Sequence, residues 1–452
     1  MNLSDKNIVV FGPGVSGRAT LEFLGHFDIS SATIVGSGDP SEWKLDDSFL
    51  EAPFQALSQT DPRCEDIFAD SDLIILSPGI AREHPLLTKA LNKGVKVWCE
   101  VELAFHFFKG PIIGVTGTNG KTTTVTLLGE VFKRYGSSPF IGGNIGLPFV
   151  KSYKAQTAYD LAVLELSSFQ LESLEDFHCQ FSAILNVFPN HGERYENHED
   201  YRLAKWNIIS HQSHSPSVEQ NDILFLGAGV GDMPEGLGSP EVVSMPENFE
   251  VDLVQEIEGF DFSQVKIVGL HNRMNIWFAW KLFSSYIERY ERENLSKAKK
   301  IFKEVVYEFK GVEHRVEATG QWDGHLLYND AKSTNWKATL TALTAVEELN
   351  LPIYLIMGGQ LRGQNDLPSD EQLEQIKKSA THILTIGDSG ELLSKNFPLF
   401  QYVKDLAGVK EKMLELKEKG VLLFSPGFPS FDQFNNYAHR GRCFKEVFGT
   451  EK

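Results

Sequence analysis

Residues 114–124, GVTGTNGKTTT, join an apolar run to a polar segment through a glycine-containing loop. The end of this stretch, Gly120-Lys121-Thr122, matches the end of the common Walker A pattern GxxxxGK[ST], but Val115 stands where the first glycine of that pattern belongs. The chemistry of a phosphate-binding loop is still present, because backbone N–H groups precede a helix, the lysine can reach the β- and γ-phosphates, and the hydroxyl can ligate Mg²⁺. The stretch therefore predicts a strand, a phosphate-binding loop and a helix.

Nine short apolar runs lie along the chain and alternate with segments of helical pattern. Runs that are apolar at nearly every residue are typical of strands in parallel sheets that helices cover on both faces. Several of them end in Gly, Ser or Asn, where ligands bind in open α/β sheets. The sequence thus predicts an α/β fold. The runs are NIVVFG (7–12), SATIVG (31–36), DLIILSPG (72–79), PIIGVTG (111–117), LAVLELS (161–167), FSAILNV (181–187), PIYLIMGG (352–359), HILTIGD (382–388) and VLLFSPG (421–427).

The length of 452 residues exceeds what one hydrophobic core supports. At roughly 150 residues per domain it indicates about three domains. A helical segment gives way to a new strand near FFKGP (107–111), and a charged helix ends near FKGVEHR (309–315). We therefore predict domains at 1–108, 109–311 and 312–452.

The charge of the chain limits the kinds of partner that it can bind. Its net charge is −18, so its surface as a whole should repel nucleic acid and anionic membranes. No apolar stretch approaches the roughly 20 residues that span a bilayer. The first residues, MNLSDKNIVVFGPG, lead into a strand rather than a signal peptide, which predicts a cytoplasmic protein without nucleic-acid or membrane partners.

The cysteines suggest no cross-link and no zinc site. They lie far apart and form no CxxC pair. We expect them to be buried as small apolar residues. They are Cys64, Cys99, Cys179 and Cys443.

A second glycine-rich loop occurs in VVFGPGVSG (9–17), between a strand and a helix. Its GxGxxG glycines, Gly12, Gly14 and Gly17, allow a diphosphate to approach the N-terminus of the helix. A dinucleotide site also has an acidic residue at the end of the next strand to hold the ribose, and Gly36 occupies that position here. The residues alone leave three possibilities open: a dinucleotide, another nucleotide-linked ligand, or a tight turn.

Three ionisable residues of the middle of the chain are candidates for a metal site. Glu165 closes an apolar strand, where an unpaired charge is costly unless a hard cation such as Mg²⁺ compensates it; alternatively, it faces water. His191, after the strand in NVFPNHGERY, is either a ligand or a structural residue. Lys205 lies in NHEDYRLAKW, a helix that Asn197 is expected to cap, with Asp200 at the capping-box position, and the residues alone favour a solvated lysine.

Polar residues of the last part of the chain form two further groups. Asn272 and Asn275 lie three residues apart and so share one face of a helix. Asp330 and Lys332 follow a strand, where they could bind a ligand or form a surface ion pair worth under about 1 kcal/mol. The residues alone do not decide between these alternatives.

These motifs together resemble the Mur ligases, the amide-forming enzymes of peptidoglycan precursor synthesis. GVTGTNGKTTT resembles the ATP loop of the family, and GGNIGLP (142–148) resembles the segment that contacts UDP-MurNAc in the members that add D-glutamate. The resemblance covers nearly the whole chain. It continues through LELSSFQLE (164–172), HEDYRLAKWNII (198–209), GLHNRMNIWFA (269–279), EHRVE (313–317), YNDAKSTN (328–335) and SFDQFNNYAHRG (430–441).

The resemblance implies a fold and an activity for each predicted domain. An N-terminal Rossmann-like parallel sheet (1–108) would bind the UDP substrate, a central P-loop-type ATPase sheet (109–311) would bind ATP, and a C-terminal Rossmann-like domain (312–452) would bind the amino acid. The implied reaction adds D-glutamate to UDP-MurNAc-L-alanine through an acyl phosphate. ATP, two Mg²⁺ ions and a carbamylated lysine are the implied cofactors, and we expect a monomer that acts on these small molecules.

The resemblance also implies the residues of the site. Catalytic roles fall to Lys121, Glu165, His191 and Lys205. The metal ligands would be Thr122, Glu165, His191 and, if it is carbamylated, Lys205. The ATP contacts would be Gly117, Thr118, Asn119, Gly120, Lys121, Thr122, Thr123, Asn272, Asn275, Arg315 and Asp330. The contacts with the UDP substrate would be Gly14, Val15, Ser16, Gly17, Ser77, Asn144 and His191. The contacts with D-glutamate would be Lys332, Thr334, Arg362, Ser430, Phe431 and Tyr437.

Four features depart from the pattern of the family. Gly36 replaces an acidic residue, and Asn190 and Gly192-Glu193 flank the histidine where the family usually has Asp-His-Leu/Met-Asp-Arg. GFPS (427–430) stands where Ala-Cys-Ala-Ser is more common. Arg362 stands where a lysine commonly holds the side-chain carboxylate of D-glutamate, and arginine can clamp a carboxylate bidentately but with a different reach and plane.

Other functions account for less of the sequence. Folylpolyglutamate synthases share the ATPase and C-terminal domains but lack an N-terminal domain like residues 1–108. A dehydrogenase would explain GxGxxG but not the loop at 114–124. A related ligase for another amino acid, or a silent UDP-sugar-binding regulator, would fit the departures, although a regulator has no need for the full set of metal and phosphate residues.

Overall fold

The computed structural model describes residues 1–153, 159–188, 194–195, 197–213, 221–361 and 367–449. The chain forms two compact units, Met1–Glu256 with Trp277–Phe302 and Ile257–Ile276 with Lys303–Lys452. The named strands of the described residues form three sheets, two in the first unit and one in the second. The domain bounds at residues 108 and 311 stay a prediction.

The first sheet is parallel and has helices between its strands. The strands are β1 (Asn7–Phe11), β2 (Ser31–Gly36), β3 (Phe54–Ser58), β4 (Leu73–Leu76) and β5 (Lys96–Trp98). The helices are α1 (Val15–Leu24), α2 (Cys64–Ala69), α3 (Pro85–Asn92) and α4 (Glu100–Phe105). The strand order is β3-β2-β1-β4-β5. The order changes direction between β1 and β4, and such a switch point opens a ligand crevice at the carboxyl ends of the strands.

The second sheet is also parallel and has the order β11-β10-β9-β6-β8-β7. The strands are β6 (Ile112–Thr116), β7 (Pro139–Gly143), β8 (Leu161–Glu165), β9 (Phe181–Asn186), β10 (Ile223–Ala228) and β11 (Glu241–Ser244). The helices are α5 (Lys121–Tyr135), α6 (Ser168–Leu171), α7 (His198–Trp206) and α8 (Phe249–Glu256). Two longer helices, α9 (Leu270–Tyr290) and α10 (Leu295–Glu308), contribute residues to both units. Because β6 lies between β8 and β9, the loop after β6 is flanked by the ends of both strands.

The third sheet belongs to the second unit and has the order β12-β13-β17-β14-β15-β16. The strands are β12 (Glu317–Trp322), β13 (His325–Asn329), β14 (Ile353–Gly358), β15 (His382–Ile386), β16 (Phe400–Lys404) and β17 (Val421–Phe424). The helices are α11 (Trp336–Glu347), α12 (Asp370–Ser379), α13 (Gly387–Asn396), α14 (Leu406–Glu415) and α15 (Tyr437–Val447). β12 and β13 pair antiparallel, and the other neighbours are parallel. The carboxyl ends of β13, β17 and β14 therefore lie side by side.

The predicted α/β class is confirmed, and each of the nine apolar runs contains one strand. The cysteine prediction holds for Cys64, Cys99 and Cys179, which are buried, whereas Cys443 is half-buried; all four are free thiols. Among the described residues, no helix combines the length and the apolar character that crossing a bilayer requires.

A shared hydrophobic core joins the first two sheets, with Leu21, Leu103 and Phe149 fully buried in one cluster. The fully buried Glu102 of α4 adds a polar link to this core. Its carboxylate accepts hydrogen bonds from the backbone N–H groups of residues 175, 176 and 177 at 2.9, 2.9 and 3.1 Å. One side chain thus satisfies three backbone donors that follow α6.

Replacement of Glu102 tests this link. Glu102→Ala leaves three backbone N–H groups without their acceptor, and the N–H of the buried Phe177, once unpaired, costs about 1–3 kcal/mol. We expect a clear fall in the midpoint of thermal unfolding, whereas Glu83→Ala, at an exposed position, should leave the midpoint unchanged. Equal midpoints for the two variants would contradict the structural role of Glu102.

Candidate active site

The loop after β6 has the strand-loop-helix form that the sequence predicts, and α5 begins at Lys121. Gly117 and Gly120 have φ angles of +147° and +87°, which residues with a Cβ atom rarely adopt. A Cβ on Gly117 would also lie 3.1 Å from the Cβ of Leu185 in β9. The two glycines are therefore required for the backbone to bend tightly between the strand and the helix. The N-terminus of a helix at the end of such a loop is a favourable place for a phosphate group.

The Lys121 side chain folds back over this loop. Its Nζ atom donates hydrogen bonds to the carbonyl oxygens of Gly117 at 2.8 Å and Thr118 at 3.1 Å. An ammonium in this position places a positive charge beside the helix N-terminus. The arrangement suits the binding of a phosphate anion.

Strand β9 fixes the loop from the other side. The backbone N–H of Thr118 donates to the carbonyl of Asn186 at 2.9 Å, and the N–H of Asn119 donates to the Asn186 side-chain oxygen at 2.9 Å. The N–H of Phe188 donates to the Thr118 hydroxyl oxygen at 3.0 Å. Asn186 was not among the predicted site residues. Its position at the end of the run FSAILNV, where a polar residue closes an apolar strand, is the signal that could have identified it.

Glu165 ends β8 with only 2% of its surface exposed, which rules out the alternative of a carboxylate that faces water. Its Oε2 atom accepts a hydrogen bond from the Thr122 hydroxyl at 2.8 Å, and its Oε1 atom accepts one from the Asn144 amide at 2.8 Å. Three predicted residues from α5, β8 and the loop after β7 therefore meet at one point. Both oxygens of the carboxylate are held in a fixed orientation.

Lys205 of α7 is 1% exposed, so the solvated lysine that the residues alone favour is wrong. Its Nζ donates to the Gly117 carbonyl at 3.0 Å and lies 4.4 Å from the centre of the Tyr201 ring. Burial, with the charge of Lys121, lowers the pKa of Lys205 to about 6, although Glu165 opposes the shift. The predicted cap of this helix is confirmed, because the Asn197 side chain accepts a hydrogen bond from the N–H of Asp200.

The donor set around Glu165 fits a hard cation. The hydroxyl of Thr122 and the carboxylate of Glu165 present oxygen atoms, which Mg²⁺ prefers, at the start of α5. His191, with its neighbours Asn190, Gly192 and Glu193, lies outside the described residues. The structure therefore brings together Lys121, Thr122, Glu165 and Lys205 of the predicted catalytic and metal set.

The GxGxxG loop of the first sheet lies at the switch point between β1 and β4. A Cβ on Gly17 would come within 1.9 Å of the Gly12 carbonyl, and the Ser77 hydroxyl donates to that same carbonyl at 3.1 Å. A cavity of about 210 Å³ opens at the N-terminus of α1. Val15 and Ser16 line it on one side, and Asn144 lines it on the other. Three predicted contacts of the UDP substrate thus face one cavity.

The structure gives a reason for the glycine at position 36. A Cβ atom there would lie 2.4 Å from Cδ of Pro13 in the GxGxxG loop and 3.2 Å from the Trp43 ring. An acidic side chain at the end of β2 is therefore incompatible with the close packing of this loop. The ribose contact of a dinucleotide site is absent at this position, which disfavours the dinucleotide alternative.

In the second unit, Asp330 is 7% exposed and directly follows β13. Its carboxyl accepts hydrogen bonds from the Ser425 hydroxyl at 2.7 Å and from the Val316 N–H at 3.2 Å. Burial raises the pKa of Asp330 to about 7, although these hydrogen bonds and the nearby Arg315 and Arg440 oppose the shift. The surface ion pair that the sequence left open is therefore wrong for Asp330, which is buried.

Arg440 of α15 is a residue that the sequence analysis missed. It is fully buried, and burial lowers the pKa of its guanidinium to about 10. The guanidinium donates to the carbonyls of Phe428 at 2.9 Å, Ala331 at 2.8 Å and Ser333 at 3.2 Å. These carbonyls flank Lys332 and precede Ser430, so one side chain connects the two loops that carry predicted D-glutamate contacts. Only the three-dimensional structure shows this role, because the sequence HRG carries no signal of it.

The remaining predicted residues of the second unit have mixed exposure. Lys332 is exposed, with its Nζ 5.3 Å from the centre of the Tyr437 ring. Ser430 is buried, whereas Phe431 is 67% exposed, so the two adjacent side chains have opposite surroundings. Arg362 lies outside the described residues.

Four other predicted residues of this unit have defined positions. Arg315 is exposed and Thr334 is half-buried. Asn272 and Asn275 are buried on one face of α9 and are joined by a hydrogen bond of 3.2 Å, as their spacing predicts.

Family models match two segments of the chain: the Mur ligase MurD-like N-terminal domain at residues 6–99 and the Mur ligase middle domain at residues 115–224. A "UDP-N-acetylmuramoylalanine--D-glutamate ligase" of Caldicellulosiruptor bescii is 33% identical over 99% of this chain and 98% of its own length. The chain belongs to the Mur ligase family. Proteins of the same name from Koribacter versatilis and Caldanaerobacter subterraneus are 32% and 31% identical over 99% of the chain. The predicted resemblance is confirmed.

Solved structures of Mur ligases share the fold of this Mur ligase. The MurF ligase of Thermotoga maritima, crystallised in complex with ADP, aligns with a TM-score of 0.52 at 16% identity over 99% of this chain and 95% of its own. A MurF of Acinetobacter baumannii aligns with a TM-score of 0.53 at 14% identity over 93% and 85% of the two chains. At these identities the likeness concerns the fold alone.

The packing of Gly36 can be tested with a matched glycine. Gly36→Ala forces a methyl group against Pro13, and overpacking of this kind costs about 1–3 kcal/mol. Gly79 has no heavy atom within 4 Å of its ideal Cβ position, so Gly79→Ala is the control. We expect a lower midpoint of thermal unfolding for Gly36→Ala only. A midpoint equal to that of the control would show that the Pro13 loop can move to accommodate the methyl group without loss of stability.

Proposed function

We propose that this Mur ligase adds D-glutamate to UDP-MurNAc-L-alanine with ATP, giving UDP-MurNAc-L-Ala-D-Glu, ADP and phosphate in peptidoglycan precursor synthesis. The observation that carries the proposal is the match over 99% of the chain to proteins named for this reaction. The site supports it, because the loop that ends in Lys121 and Thr122 meets the buried Glu165 and Lys205.

The reaction requires activation of a carboxylate, because its oxygen is a poor leaving group and an amine does not displace it. A carboxylate oxygen of the L-alanyl group attacks the γ-phosphorus of ATP, and the bond from that phosphorus to the β–γ bridging oxygen breaks, which releases ADP. The amine of D-glutamate then attacks the carbonyl carbon of the acyl phosphate, loses a proton and expels phosphate. No protein nucleophile is needed, so the side chains act by position and charge.

Lys121 and the N-terminus of α5 would hold the phosphate groups of ATP. Transfer of a phosphoryl group spreads negative charge over its oxygens, and fixed positive charge nearby stabilises that state. The other proposed ATP contacts of the loop are Gly117, Thr118, Asn119, Gly120, Thr122 and Thr123. In the second unit, Asn272, Asn275, Arg315 and Asp330 are the proposed contacts with the nucleotide.

Magnesium ions would be held by Thr122 and Glu165 and, we propose, by His191 and a carbamate on Lys205. Bound Mg²⁺ supplies positive charge that neutralises phosphate oxygens. We propose two such ions. Hydrogen bonds from Thr122 and Asn144 keep the Glu165 oxygens oriented for this role.

Carbamylation of Lys205 is supported by its surroundings. Lys121 and a bound cation would repel a buried ammonium at position 205. They would attract a carbamate, because it is an oxygen anion. Because the pKa of Lys205 is lowered to about 6, its amine is mainly neutral at pH 7 and can attack CO₂. The carbamate would retain the buried position and present two oxygen ligands in place of the amine.

Carbon-13 NMR tests the carbamate directly. Protein incubated with ¹³C-bicarbonate should show one carbamate resonance that is absent from Lys205→Arg, because arginine does not form this adduct. The variant should also lose most of its activity. An active wild-type enzyme without the resonance would refute the carbamate.

The substrates are proposed to divide among the predicted domains. Residues 1–108 would hold the uridine nucleotide through Gly14, Val15, Ser16, Gly17 and Ser77, with Asn144 added by the central domain. Residues 312–452 would hold D-glutamate. The proposed contacts there are Lys332, Thr334, Arg362, Ser430, Phe431 and Tyr437. We propose that the enzyme acts as a monomer.

Phosphate release tests the proposed function. Mg-ATP and UDP-MurNAc-L-alanine are incubated with D-glutamate, L-glutamate, D-aspartate or L-lysine in separate reactions, and we expect release with D-glutamate alone. Lys121→Ala should reduce the rate by at least about 100-fold, because removal of one group that stabilises transferring charge typically costs that much. Release with another amino acid alone would indicate a related ligase, and release with none, despite nucleotide binding, would favour a silent regulator.

The role of Arg440 gives a separate prediction on D-glutamate. Arg440→Lys keeps a positive charge but cannot donate to three carbonyls with one planar group. We expect KM for D-glutamate to rise by about tenfold, the cost of one or two buried hydrogen bonds, while KM for UDP-MurNAc-L-alanine stays within about twofold. Arg442→Lys, at an exposed position of the same helix, is the control and should match the wild type. A uniform rise in every KM would argue against a specific role at the amino-acid loops.

A further inference from the structure

Glu100 is a buried carboxyl that the proposed reaction does not use. It is the first residue of α4 and is 1% exposed. Its Oε2 atom accepts a hydrogen bond from the Val150 N–H at 3.1 Å. Its Oε1 atom is buried and has no hydrogen-bond partner among the described residues. A polar group in this state is expensive to keep in a core unless it serves a purpose.

The surroundings of Glu100 lead to the cavity at the N-terminus of α1. Gln170, which also lines that cavity, lies close enough to the Glu100 carboxyl for its side chain to stabilise the charged form and so to lower the pKa of Glu100. Val150 belongs to the helical turn Phe149–Ser152, and Pro148, directly before this turn, is another lining residue. Glu100 therefore lies outside the cavity and contacts two segments of its wall.

Gln170 has only one orientation that satisfies its own contacts. It is 1% exposed, and its side-chain oxygen accepts hydrogen bonds from the Ser167 N–H at 3.0 Å and the Ser167 hydroxyl at 3.1 Å. The oxygen therefore already accepts two hydrogen bonds at the start of α6. The NH₂ group is left as the end of the amide that faces the Glu100 carboxyl. Loss of Glu100 would remove the polar group beside this buried NH₂ group.

The protonation of Glu100 agrees with this arrangement. Burial raises the pKa of Glu100 to about 7, although the Val150 and Phe149 N–H groups and the Gln170 side chain oppose the shift. A neutral carboxyl accepts hydrogen bonds through one oxygen and carries its proton on the other. When the carboxyl is protonated, Oε1, which accepts no hydrogen bond, is the oxygen that can carry the proton.

We propose that Glu100 is a positioning residue, which holds Gln170 and the 148–150 segment so that the cavity between α1 and Asn144 keeps the shape that the UDP-linked substrate requires. The inference rests on the proposed function, because that substrate is the ligand assigned to this cavity. Glu100 itself does not line the cavity. It acts through the two wall segments that it contacts.

Three variants separate this role from general stability. Glu100→Ala removes the acceptor. Glu100→Gln keeps one accepting oxygen and replaces the other, Oε1, which accepts no hydrogen bond, with an NH₂ group. Glu102→Ala is the matched control, because Glu102 lies on the same helix and is fully buried, but accepts its hydrogen bonds from residues 175–177.

Steady-state kinetics of the full chain is the first readout. We expect Glu100→Ala to raise KM for UDP-MurNAc-L-alanine by about tenfold, the cost of one buried hydrogen bond, with KM for ATP within about twofold of wild type. Glu100→Gln should restore the wild-type KM. An equal rise for Glu102→Ala, or no recovery in Glu100→Gln, would overturn the inference.

Amide hydrogen exchange of the ligand-free protein is the second readout and does not depend on activity. The Val150 N–H should exchange faster in Glu100→Ala than in wild type and in Glu102→Ala. Unchanged exchange in Glu100→Ala would overturn the inference even if the enzyme is active. The two proposals can fail separately. If calorimetry shows that the wild-type protein binds no UDP-MurNAc-L-alanine, while the Val150 N–H still exchanges faster in Glu100→Ala, the proposed function and the assigned ligand are refuted but the structural link is not.

Discussion

The buried carboxylate of Glu165 is the constraint on which the site in the first unit depends. A charge at the end of a core strand is costly unless it is oriented and compensated, and here Thr122 and Asn144 fix both of its oxygens. Those two contacts place the start of α5 and the loop after β7 on either side of β8. The bend at Gly117 then turns a carbonyl toward both Lys121 and Lys205. Two lysines and one carboxylate thus meet at a single loop.

Much of the fold could be predicted from local sequence, and six of the eight strands that were missed share a physical cause. The nine predicted strands carry apolar residues on both faces because helices cover them. The runs leave out eight strands: the six edge strands of the three sheets, β3, β5, β7, β11, β12 and β16, and the two interior strands β10 and β13. An edge strand has one neighbour and is more often exposed, as in β11, where no residue is fully buried. Its sequence therefore lacks the continuous apolar signal, and β12 is even polar and antiparallel.

The site was predictable where function requires a residue type at a fixed place along the chain. The phosphate loop, the strand-end Glu165 and the cap of α7 follow from local chemistry, and Lys205 followed only from the family resemblance. Arg440 and Glu100 could not be predicted, because each acts on segments remote in sequence, whereas Asn186 carried a local signal as the polar end of an apolar run. Arg440 holds carbonyls 12 and 109 positions away. At Gly36, by contrast, the structure explains a departure from the dinucleotide motif, because a side chain at this position would collide with Pro13.

The central claim is that this chain activates a carboxylate by phosphorylating it with ATP. Its most direct test is the fate of oxygen in UDP-MurNAc-L-alanine labelled with ¹⁸O in the alanyl carboxylate, with unlabelled ATP, D-glutamate and water. An acyl phosphate transfers one carboxylate oxygen to phosphorus, so mass spectrometry should find one ¹⁸O atom in each phosphate released. Phosphate free of ¹⁸O, formed together with the amide product, would contradict the account.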